Sequence, residues 1–237
     1  MCSEGCHLIE PPFNCMDSAG VVTGCDVELA RYVLDRLDID EVEFVETEFA
    51  QLLPGLAQND RQMTTGLFAS PERRRVALFS KPIWALPDGL LVRAENAQSI
   101  GGYQSLSVPS DLKLAVIRGQ VQHMIALELG VAPDQFRVFE TYVDAAQAVQ
   151  DGTVSAFASV ARAHQGFLQT SATDGLAVVN VPLGERAPAF GCFAFALSSN
   201  DLRNRVDQVL NTFIGGVEHR HLMKDFGFAN AEVDRIL

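Results

Sequence analysis

The sequence predicts an α/β fold of two lobes, each a mostly parallel sheet flanked by helices, with two strands crossing between them. From the N terminus, apolar segments follow one another as strand, helix, strand and helix, an order that favours a parallel sheet covered by helices. A similar strand-to-helix step recurs after Ile117. A polar, Gly- and Ser-rich stretch at 94–111 separates the two series. We therefore expect lobe 1 at 1–93 plus 184–237, and lobe 2 at 94–183.

The first lobe is predicted to start with a short strand at 7–10 and a turn over the two prolines of EPPFNC. A helix begins near Asp26, and its apolar residues follow helical spacing: Val27, Ala30, Val33, Leu34 and Leu37. The predicted elements that come next are a strand at 42–47, a helix from Phe49, a strand at 62–68, a helix from Ser70 and, after the second lobe, a strand at 190–199 and a helix from Asn200.

The second lobe is entered by an apolar strand at 89–93 that leaves the first lobe. Strands and helices then alternate again, with strands predicted at 112–119, 137–141 and 154–159 and helices at 120–130, 144–152 and 161–169. A strand at 176–183 crosses back. Because ligands of open α/β sheets bind at the carboxyl ends of strands, the turns after Phe68 and Ile117 are the expected ligand-binding region.

Composition and charge exclude several classes of function. The 237 residues carry a net charge of −12, which disfavours nucleic acids and anionic membranes as partners. No apolar run approaches the ~20 residues of a membrane span. The start, MCSEGC, does not resemble a signal peptide, so either a leader has been removed or the protein stays in the cytoplasm. The five cysteines form no CxxC pair, and we expect no metal and no cofactor.

The segment GLFASPERRRVALFS, which starts at Gly66, carries the clearest chemistry. Ser70 is a suitable N-cap residue and Pro71 suits the first helical position, which would place Arg73 in the first turn of a helix. An arginine beside unpaired backbone N–H groups can bind a carboxylate, while the nearby Phe68 ring can face a cation. The segment is equally compatible with a capped surface helix that has solvated arginines and a core phenylalanine.

Together with PPFNCMDSAGVVTGCDVELA, FAQLLPGLAQND and HLMKDFGF, that segment resembles the amino-acid-type (family 3) solute-binding proteins of ABC importers. The resemblance implies a type II periplasmic-binding-protein fold, a ligand held between the two lobes, an extracytoplasmic or periplasmic location with the signal peptide removed, and a membrane permease as partner. It also implies that the protein is not an enzyme. We expect a monomer.

Within the family pattern, Phe13, Phe49 and Phe68 occupy cleft-lining positions. Members that bind amino acids often have Ser or Thr where this chain has Phe68, and an aspartate at the position of Val160; both receive the α-ammonium group. An ammonium buried without an anionic partner would cost several kcal/mol. Three aromatics instead suit a cation with few N–H donors, such as a betaine or ectoine.

The resemblance is closer still to ectoine- and hydroxyectoine-binding proteins, in which an acidic cleft residue precedes an aromatic one, as Glu10 precedes Phe13 in this chain. The carboxylate is expected to meet the loop Gly119–Val121, although Gln120 replaces the usual Ser or Thr and Gln122 an acidic residue. The expected ligand-binding residues are Glu10, Phe13, Phe49, Gly66, Phe68, Arg73, Gly119, Gln120 and Val121.

Three other functions stay open on the sequence. The chain could bind a polar amino acid, form the sensor lobe of a receptor, or be an enzyme like cyclohexadienyl dehydratase on the same scaffold. The enzyme would need an acid or base in the cleft, for which Glu10 and His123 are the candidates. His219 and His221 lack the spacing of a metal site and are expected on a surface helix.

Overall fold

The computed structural model of the protein describes residues 2–6, 10–108, 111–171 and 174–237, with side chains from residue 10 onward. By internal contacts the chain divides into two units. The first comprises Met1–Ala85 and Phe190–Leu237, and the second is Leu86–Ala189. Within the described part of the chain, we find no helix with both the length and the apolar character needed to cross a membrane.

The first unit is built on a five-stranded mixed sheet. In spatial order its strands are Val42–Glu46 (β4), Cys2–Cys6 (β1), Met63–Phe68 (β5), Ala189–Phe195 (β12) and Leu78–Leu86 (β6). β4, β1 and β5 are parallel, whereas β12 runs antiparallel to β5. A short hairpin, Cys15–Met16 (β2) and Val22–Thr23 (β3), stands apart from this sheet.

The helices of the first unit cover that sheet and contribute its core. They are Cys25–Asp35 (α1), Leu52–Ala57 (α2), Asn200–Phe213 (α7), Val217–Asp225 (α8) and Asn230–Asp234 (α9). α1 buries one whole face at the predicted helical spacing, with Val27, Ala30, Val33 and Leu34 fully inaccessible to solvent. The side chains of Cys25 and Cys192 are buried in this unit.

The second unit repeats the arrangement with a different set of strands. Its sheet has the order Leu176–Asn180 (β11), Asp88–Arg93 (β7), Ala156–Val160 (β10), Leu114–Ile117 (β8) and Phe136–Phe139 (β9). β10, β8 and β9 are parallel, and β7 is antiparallel to both of its neighbours. The helices are Tyr103–Leu106 (α3), Gln122–Glu128 (α4), Tyr142–Gln150 (α5) and Ala161–Thr170 (α6).

A buried histidine connects helix and sheet in the second unit. The Nδ1 atom of His164 in α6 shares a hydrogen bond with the Tyr142 hydroxyl, and its Nε2 atom lies 3.3 Å from the Gly89 carbonyl oxygen. The side chain is fully buried. Burial lowers the pKa of His164 to about 3, so the imidazole is neutral at ordinary pH.

The predicted α/β fold with helix-covered sheets is confirmed, but the sheets are mixed rather than mostly parallel, because β7 and β12 run antiparallel to their partners. Several local predictions are also corrected. The first strand is Cys2–Cys6; of the strand predicted at 7–10, only Glu10 lies among the described residues, where it forms an isolated bridge with Asn14. The strand predicted to leave the first lobe at 89–93 is β7, which pairs with β10 and β11 of the second unit. The contact division thus falls before this strand rather than after it.

Two further predictions are wrong in detail. The helix expected from Ser70 is a single 3-10 turn, Arg73–Arg75, and β6 begins after two further residues. Ala77 and Phe79 are buried while Val76 is exposed, a period-two pattern that favours a strand over the costly nucleation of a helix. His219 does lie on a helix, α8, but it is fully buried: its Nδ1 atom accepts a hydrogen bond from the Gly215 N–H.

Candidate ligand-binding site

A buried carboxylate, Asp26, joins three elements of the first unit. In the first turn of α1, its Oδ1 atom accepts a hydrogen bond from Trp84 Nε1 at 2.8 Å, and its Oδ2 atom accepts one from the Gly66 N–H at 2.9 Å. The Cys25 thiol lies 3.5 Å from Oδ1. Burial, with a smaller contribution from the negative charge of Glu10, raises the pKa of Asp26 to about 6 against the opposing effect of the hydrogen bonds.

Four aromatic side chains form a continuous row that passes through Trp84. The Trp84 ring centroid lies 5.5 Å from that of Phe68 and 5.4 Å from that of Phe13, and Phe13 lies 6.2 Å from Phe228. The contacts with Phe68 and Phe228 are edge-to-face. A Cβ atom at Gly191 would lie 2.2 Å from the Trp84 ring. Gly191 on β12 therefore leaves room for the indole of Trp84.

Arg73 provides a buried cation next to this row. Ser70 Oγ accepts a hydrogen bond from the Arg73 N–H at 3.3 Å, as the capping pattern predicts, although the turn is 3-10. The Arg73 guanidinium donates to the Phe68 carbonyl oxygen at 3.0 Å and lies 5.6 Å from the centre of the Phe49 ring. Burial lowers the pKa of Arg73 to about 10, which leaves it charged at neutral pH.

A tight turn brings Glu10 and Phe13 together. The Glu10 N–H donates to the Asn14 carbonyl oxygen at 3.1 Å, and the Phe13 N–H donates to the Glu10 carbonyl oxygen at 2.9 Å. The Pro11–Pro12 peptide bond inside the turn is cis. Both Glu10 and Phe13 are largely buried, at 9% and 4% exposed. The backbone of the turn therefore fixes the spacing of the acid and the ring.

The loop between β8 and α4 carries the predicted residues of the second unit. Gly119 has a φ of +82°, a left-handed conformation that favours glycine. The Gln120 N–H donates to the Ile117 carbonyl oxygen at 3.1 Å, so this donor is used within the loop. Gln120 is 8% exposed, and Val121 directly precedes α4.

A second buried carboxylate, Asp88, lies at the start of β7. Its Oδ2 atom accepts a hydrogen bond from the Tyr103 hydroxyl at 3.0 Å, and its Oδ1 atom accepts one from Gln122 Nε2 at 3.1 Å. Burial raises the pKa of Asp88, while these two hydrogen bonds and, to a smaller extent, the positive charge of Arg186 oppose the shift. Asp88 is the register partner of Val160 at the end of β10. Asp88 therefore places an acid on the strand next to Val160, and its carboxylate accepts hydrogen bonds from Tyr103 and Gln122.

Comparison with known proteins identifies the family. The model of the bacterial extracellular solute-binding proteins, family 3, matches residues 5–227, which is most of the chain. The protein belongs to this family. The sequence-based resemblance is thereby confirmed, and the family is one of extracellular binding proteins.

Individual relatives agree with this assignment. A probable amino-acid ABC transporter periplasmic-binding protein, y4tE, of Sinorhizobium fredii is 29% identical over 225 residues, which cover 92% of this chain and 74% of the relative. The crystal structure of EhuB in complex with hydroxyectoine has a TM-score of 0.87 at 22% identity and covers 99% of this chain and 91% of EhuB. The ancestral amino acid-binding protein AncCDT-1, a precursor of cyclohexadienyl dehydratase, has a TM-score of 0.83 at 25% identity, covering 95% and 94%. These likenesses confirm the type II periplasmic-binding-protein fold.

In this family 3 solute-binding protein, the predicted site residues of the first unit lie in one chain of contacts. Glu10 and Phe13 share a turn, and Phe13 and Phe68 both contact Trp84. The Phe68 carbonyl oxygen accepts a hydrogen bond from Arg73, whose guanidinium lies over the Phe49 ring. The predicted residues of this unit are Glu10, Phe13, Phe49, Gly66, Phe68 and Arg73. Gly66 is included through its N–H, which donates to Asp26. Gly119, Gln120 and Val121 belong to the second unit.

Sequence reasoning missed Asp26, Trp84 and Asp88. Trp84 is the single tryptophan of the chain, and Asp26 stands between two buried residues on the apolar side of α1. An acid in a buried run signals a hydrogen-bonded role, because a buried carboxylate needs partners. The partners themselves are invisible in the sequence, since Asp26 and Trp84 are 58 positions apart.

Proposed function

We propose that this protein captures a small zwitterionic compatible solute, of the ectoine and hydroxyectoine class, and delivers it to the membrane permease of an ABC importer. One observation carries the proposal: a buried guanidinium and a row of aromatic rings meet at Phe68. A zwitterion needs a cationic partner for its carboxylate and an aromatic or acidic partner for its cation, because both charges lose water on binding.

Arg73 is the group that we assign to the ligand's carboxylate. Arg73 is 8% exposed, and its guanidinium is oriented by the Phe68 carbonyl oxygen and by the face of Phe49. A planar guanidinium binds a carboxylate through two parallel hydrogen bonds, and the bond is stronger where water is excluded. We extend the proposal to Gly119, Gln120 and Val121, which would contribute ligand contacts from the second unit.

Phe13, Phe49 and Phe68 are assigned to the ligand's cationic part. A ring face attracts a delocalised or alkylated cation without requiring a hydrogen-bond acceptor for each N–H. Glu10 supplies an acidic group for the N–H donors that an ectoine amidinium does have. Val160 offers no carboxylate to an α-ammonium, and its register partner Asp88 already accepts hydrogen bonds from Tyr103 and Gln122.

The relatives support the class of function at a coarser level. EhuB was crystallised with hydroxyectoine, and y4tE is described as a periplasmic-binding protein for amino acids. Ectoine is itself a cyclic amino-acid derivative, so both descriptions fit a ligand with a carboxylate and a nearby cation. We accordingly place this protein in the periplasm or an equivalent extracytoplasmic space, and propose that it acts as a monomer.

Binding of an ordinary amino acid is the second candidate, favoured by the names of y4tE and AncCDT-1. It requires an anionic partner for the α-ammonium, which Glu10 would have to provide. Catalysis on the same scaffold has less support. Of its two candidate groups, the His123 ring is packed against Phe136 at a centroid distance of 4.5 Å, and Glu10 is assigned to the ligand's N–H donors. We therefore propose a binding protein without enzymatic activity.

A thermal-shift panel tests the proposal. The purified protein is melted with ectoine, hydroxyectoine, glycine betaine, glutamine, histidine, arginine and prephenate, with the Arg73→Ala variant in parallel. A ligand that binds the folded state raises the melting temperature by an amount that grows with its concentration relative to its Kd. We expect stabilisation by an ectoine or betaine ligand in the wild-type protein and a much smaller effect at the same concentration in the variant. Stabilisation by amino acids alone would favour the second candidate, and turnover of prephenate would favour an enzyme.

A further inference from the structure

The Asp26–Trp84 pair contacts the Phe13 and Phe68 rings, which are assigned to the ligand, through the indole. Trp84 is 5% exposed and touches both Phe13 and Phe68, whereas those two phenylalanines come from distant parts of the chain. The indole is therefore the common support for two rings whose relative position decides how a cation is held. Its own orientation is fixed at one end by Asp26 Oδ1 at 2.8 Å.

We propose that Asp26 is a positioning residue for ligand selection: its carboxylate orients the Trp84 indole, and the indole sets the placement of Phe13 and Phe68. The inference rests on the proposed function and extends it, since it names the residues that determine how tightly the aromatic wall holds a cation. Two glycines provide the space that this position of the indole requires. A Cβ at Gly66 would lie 2.8 Å from both Asp26 Oδ2 and the Trp84 ring, and one at Gly191 would overlap the ring.

The arrangement is strongest with an ionised carboxylate. Asp26 receives two N–H donors, one on each oxygen, from Trp84 and from the Gly66 backbone. A protonated carboxyl carries an O–H on one oxygen, and that neutral hydroxyl accepts an N–H more weakly than a carboxylate oxygen does. Protonation therefore favours release of either the indole or β5.

The groups around Asp26 set the pH at which this release occurs. Burial and the charge of Glu10 favour the protonated form, and the donors Trp84, Gly66 and Cys25 favour the ionised form. The balance raises the pKa of Asp26 to about 6, within the range that an extracytoplasmic protein can meet. Ligand affinity is therefore expected to fall as the pH drops through about 6.

Tryptophan emission gives a direct readout, because Trp84 is the single tryptophan. The emission of ligand-free protein is recorded from pH 4.5 to 8 for the wild type, Asp26→Asn and Asp88→Asn. Asp88 is a matched control: it is as buried as Asp26, has two side-chain donors and lies in the second unit. We expect a transition near pH 6 in the wild type and in Asp88→Asn, and a flat profile in Asp26→Asn.

Calorimetry with hydroxyectoine at pH 7.5 and pH 5 tests the effect on binding. We expect wild-type affinity to fall about tenfold between these pH values, which corresponds to about 1.4 kcal/mol. Asp26→Asn should bind about tenfold more weakly at pH 7.5, because an amide can accept from only one of the two N–H groups, and should show little further loss at pH 5. If Asp26→Asn does not fold, Trp84→Phe replaces it; this variant keeps a ring, lacks the N–H and should likewise lose the pH dependence.

The outcomes separate this inference from the proposed function. Wild-type affinity and an unchanged pH profile in Asp26→Asn or Trp84→Phe would overturn the positioning role, even where Arg73→Ala abolishes binding. An emission profile without a transition in the wild type would also overturn it. Failure of the wild-type protein to bind any ectoine or betaine ligand would instead overturn the proposed function, and the ligand half of this inference with it.

Discussion

The Arg73 guanidinium donates a hydrogen bond to the carbonyl oxygen of Phe68 at 3.0 Å. Arg73 is proposed to bind the ligand's carboxylate, and the Phe68 ring is proposed to face the ligand's positive charge. This hydrogen bond thus fixes the first group to the backbone of the second. A short contact of this kind couples the two ends of the site. Changes at either residue are therefore expected to affect both.

Replacing Arg73 tests the carboxylate assignment. Arg73→Ala should weaken binding of the solute by about 2–4 kcal/mol, because a desolvated carboxylate loses its charged partner. Arg73→Lys should recover only part of this loss, since an ammonium cannot form the two parallel hydrogen bonds of a guanidinium. Isothermal titration calorimetry measures both. Wild-type affinity in Arg73→Ala would show that the carboxylate binds elsewhere.

Replacing Phe68 tests the aromatic contact with the cation. Phe68→Ser should lose about 1–2 kcal/mol of solute binding, the typical strength of a cation–π contact in a partly desolvated site. The variant should not gain affinity for amino acids, because Val160 still supplies no carboxylate. Titration of the variant with hydroxyectoine and with glutamine measures both effects, and tight glutamine binding would argue that the hydroxyl alone determines selectivity.

Gly191→Ala tests whether the indole needs the space that the glycine leaves. The new Cβ would lie 2.2 Å from the Trp84 ring, so the ring has to move. Overpacking of this kind typically costs about 1–3 kcal/mol of unfolding free energy. The matched control is Gly184→Ala, where nothing lies within 4 Å of the added carbon. Urea unfolding followed by Trp84 emission should show a loss for Gly191→Ala only.

His164 predicts how stability depends on pH. Its pKa is lowered to about 3 in the folded protein, against an ordinary value of 6.5, so below about pH 6.5 the unfolded chain binds a proton that the folded protein excludes. The unfolding free energy should therefore fall as the pH drops from about 6.5 towards 3, by up to about 1.4 kcal/mol per pH unit from this group. His219, whose pKa is lowered to about 4, acts in the same direction.

The variant His164→Gln separates this contribution from the others. An amide can bond to Tyr142 and to the Gly89 carbonyl without titrating, so the variant should have a shallower pH dependence than the wild type in thermal melts between pH 4 and 7. His221→Asn, at an exposed position of α8, should leave the dependence as it is. Equal slopes in wild type and His164→Gln would mean that the pKa of His164 is not lowered in the folded protein.

Much of the fold could be predicted because its elements carry local signals. α1 has an apolar stripe, and the strands of the second unit are short apolar runs between turn residues. The first strand, Cys2–Cys6, was missed because CSEGC has polar residues and a glycine where a buried strand usually has apolar ones. The helix expected from Ser70 shows the opposite error: the capping signal was real, but pairing of the next residues in the sheet outweighed it.

The candidate site could be predicted only in part, for a physical reason. Phe13, Phe68 and Arg73 were found from the order of motifs along the chain. The groups that hold them in place depend on pairs distant in sequence, such as Asp26 with Trp84 and Asp88 with Gln122. Periodicity describes which face of an element is buried, and it contains no information on which buried groups meet.

The central claim is that the site selects an ectoine-like or betaine cation over an α-ammonium group, and calorimetric affinities for hydroxyectoine and glutamine at pH 7.5 test it most directly. We predict that the tightest ectoine or betaine ligand binds at least ~100-fold more tightly than glutamine, histidine or arginine, because one unpaired buried charge costs about 3 kcal/mol or more. A common α-amino acid that binds the wild-type protein more tightly than every ectoine or betaine ligand would contradict the claim.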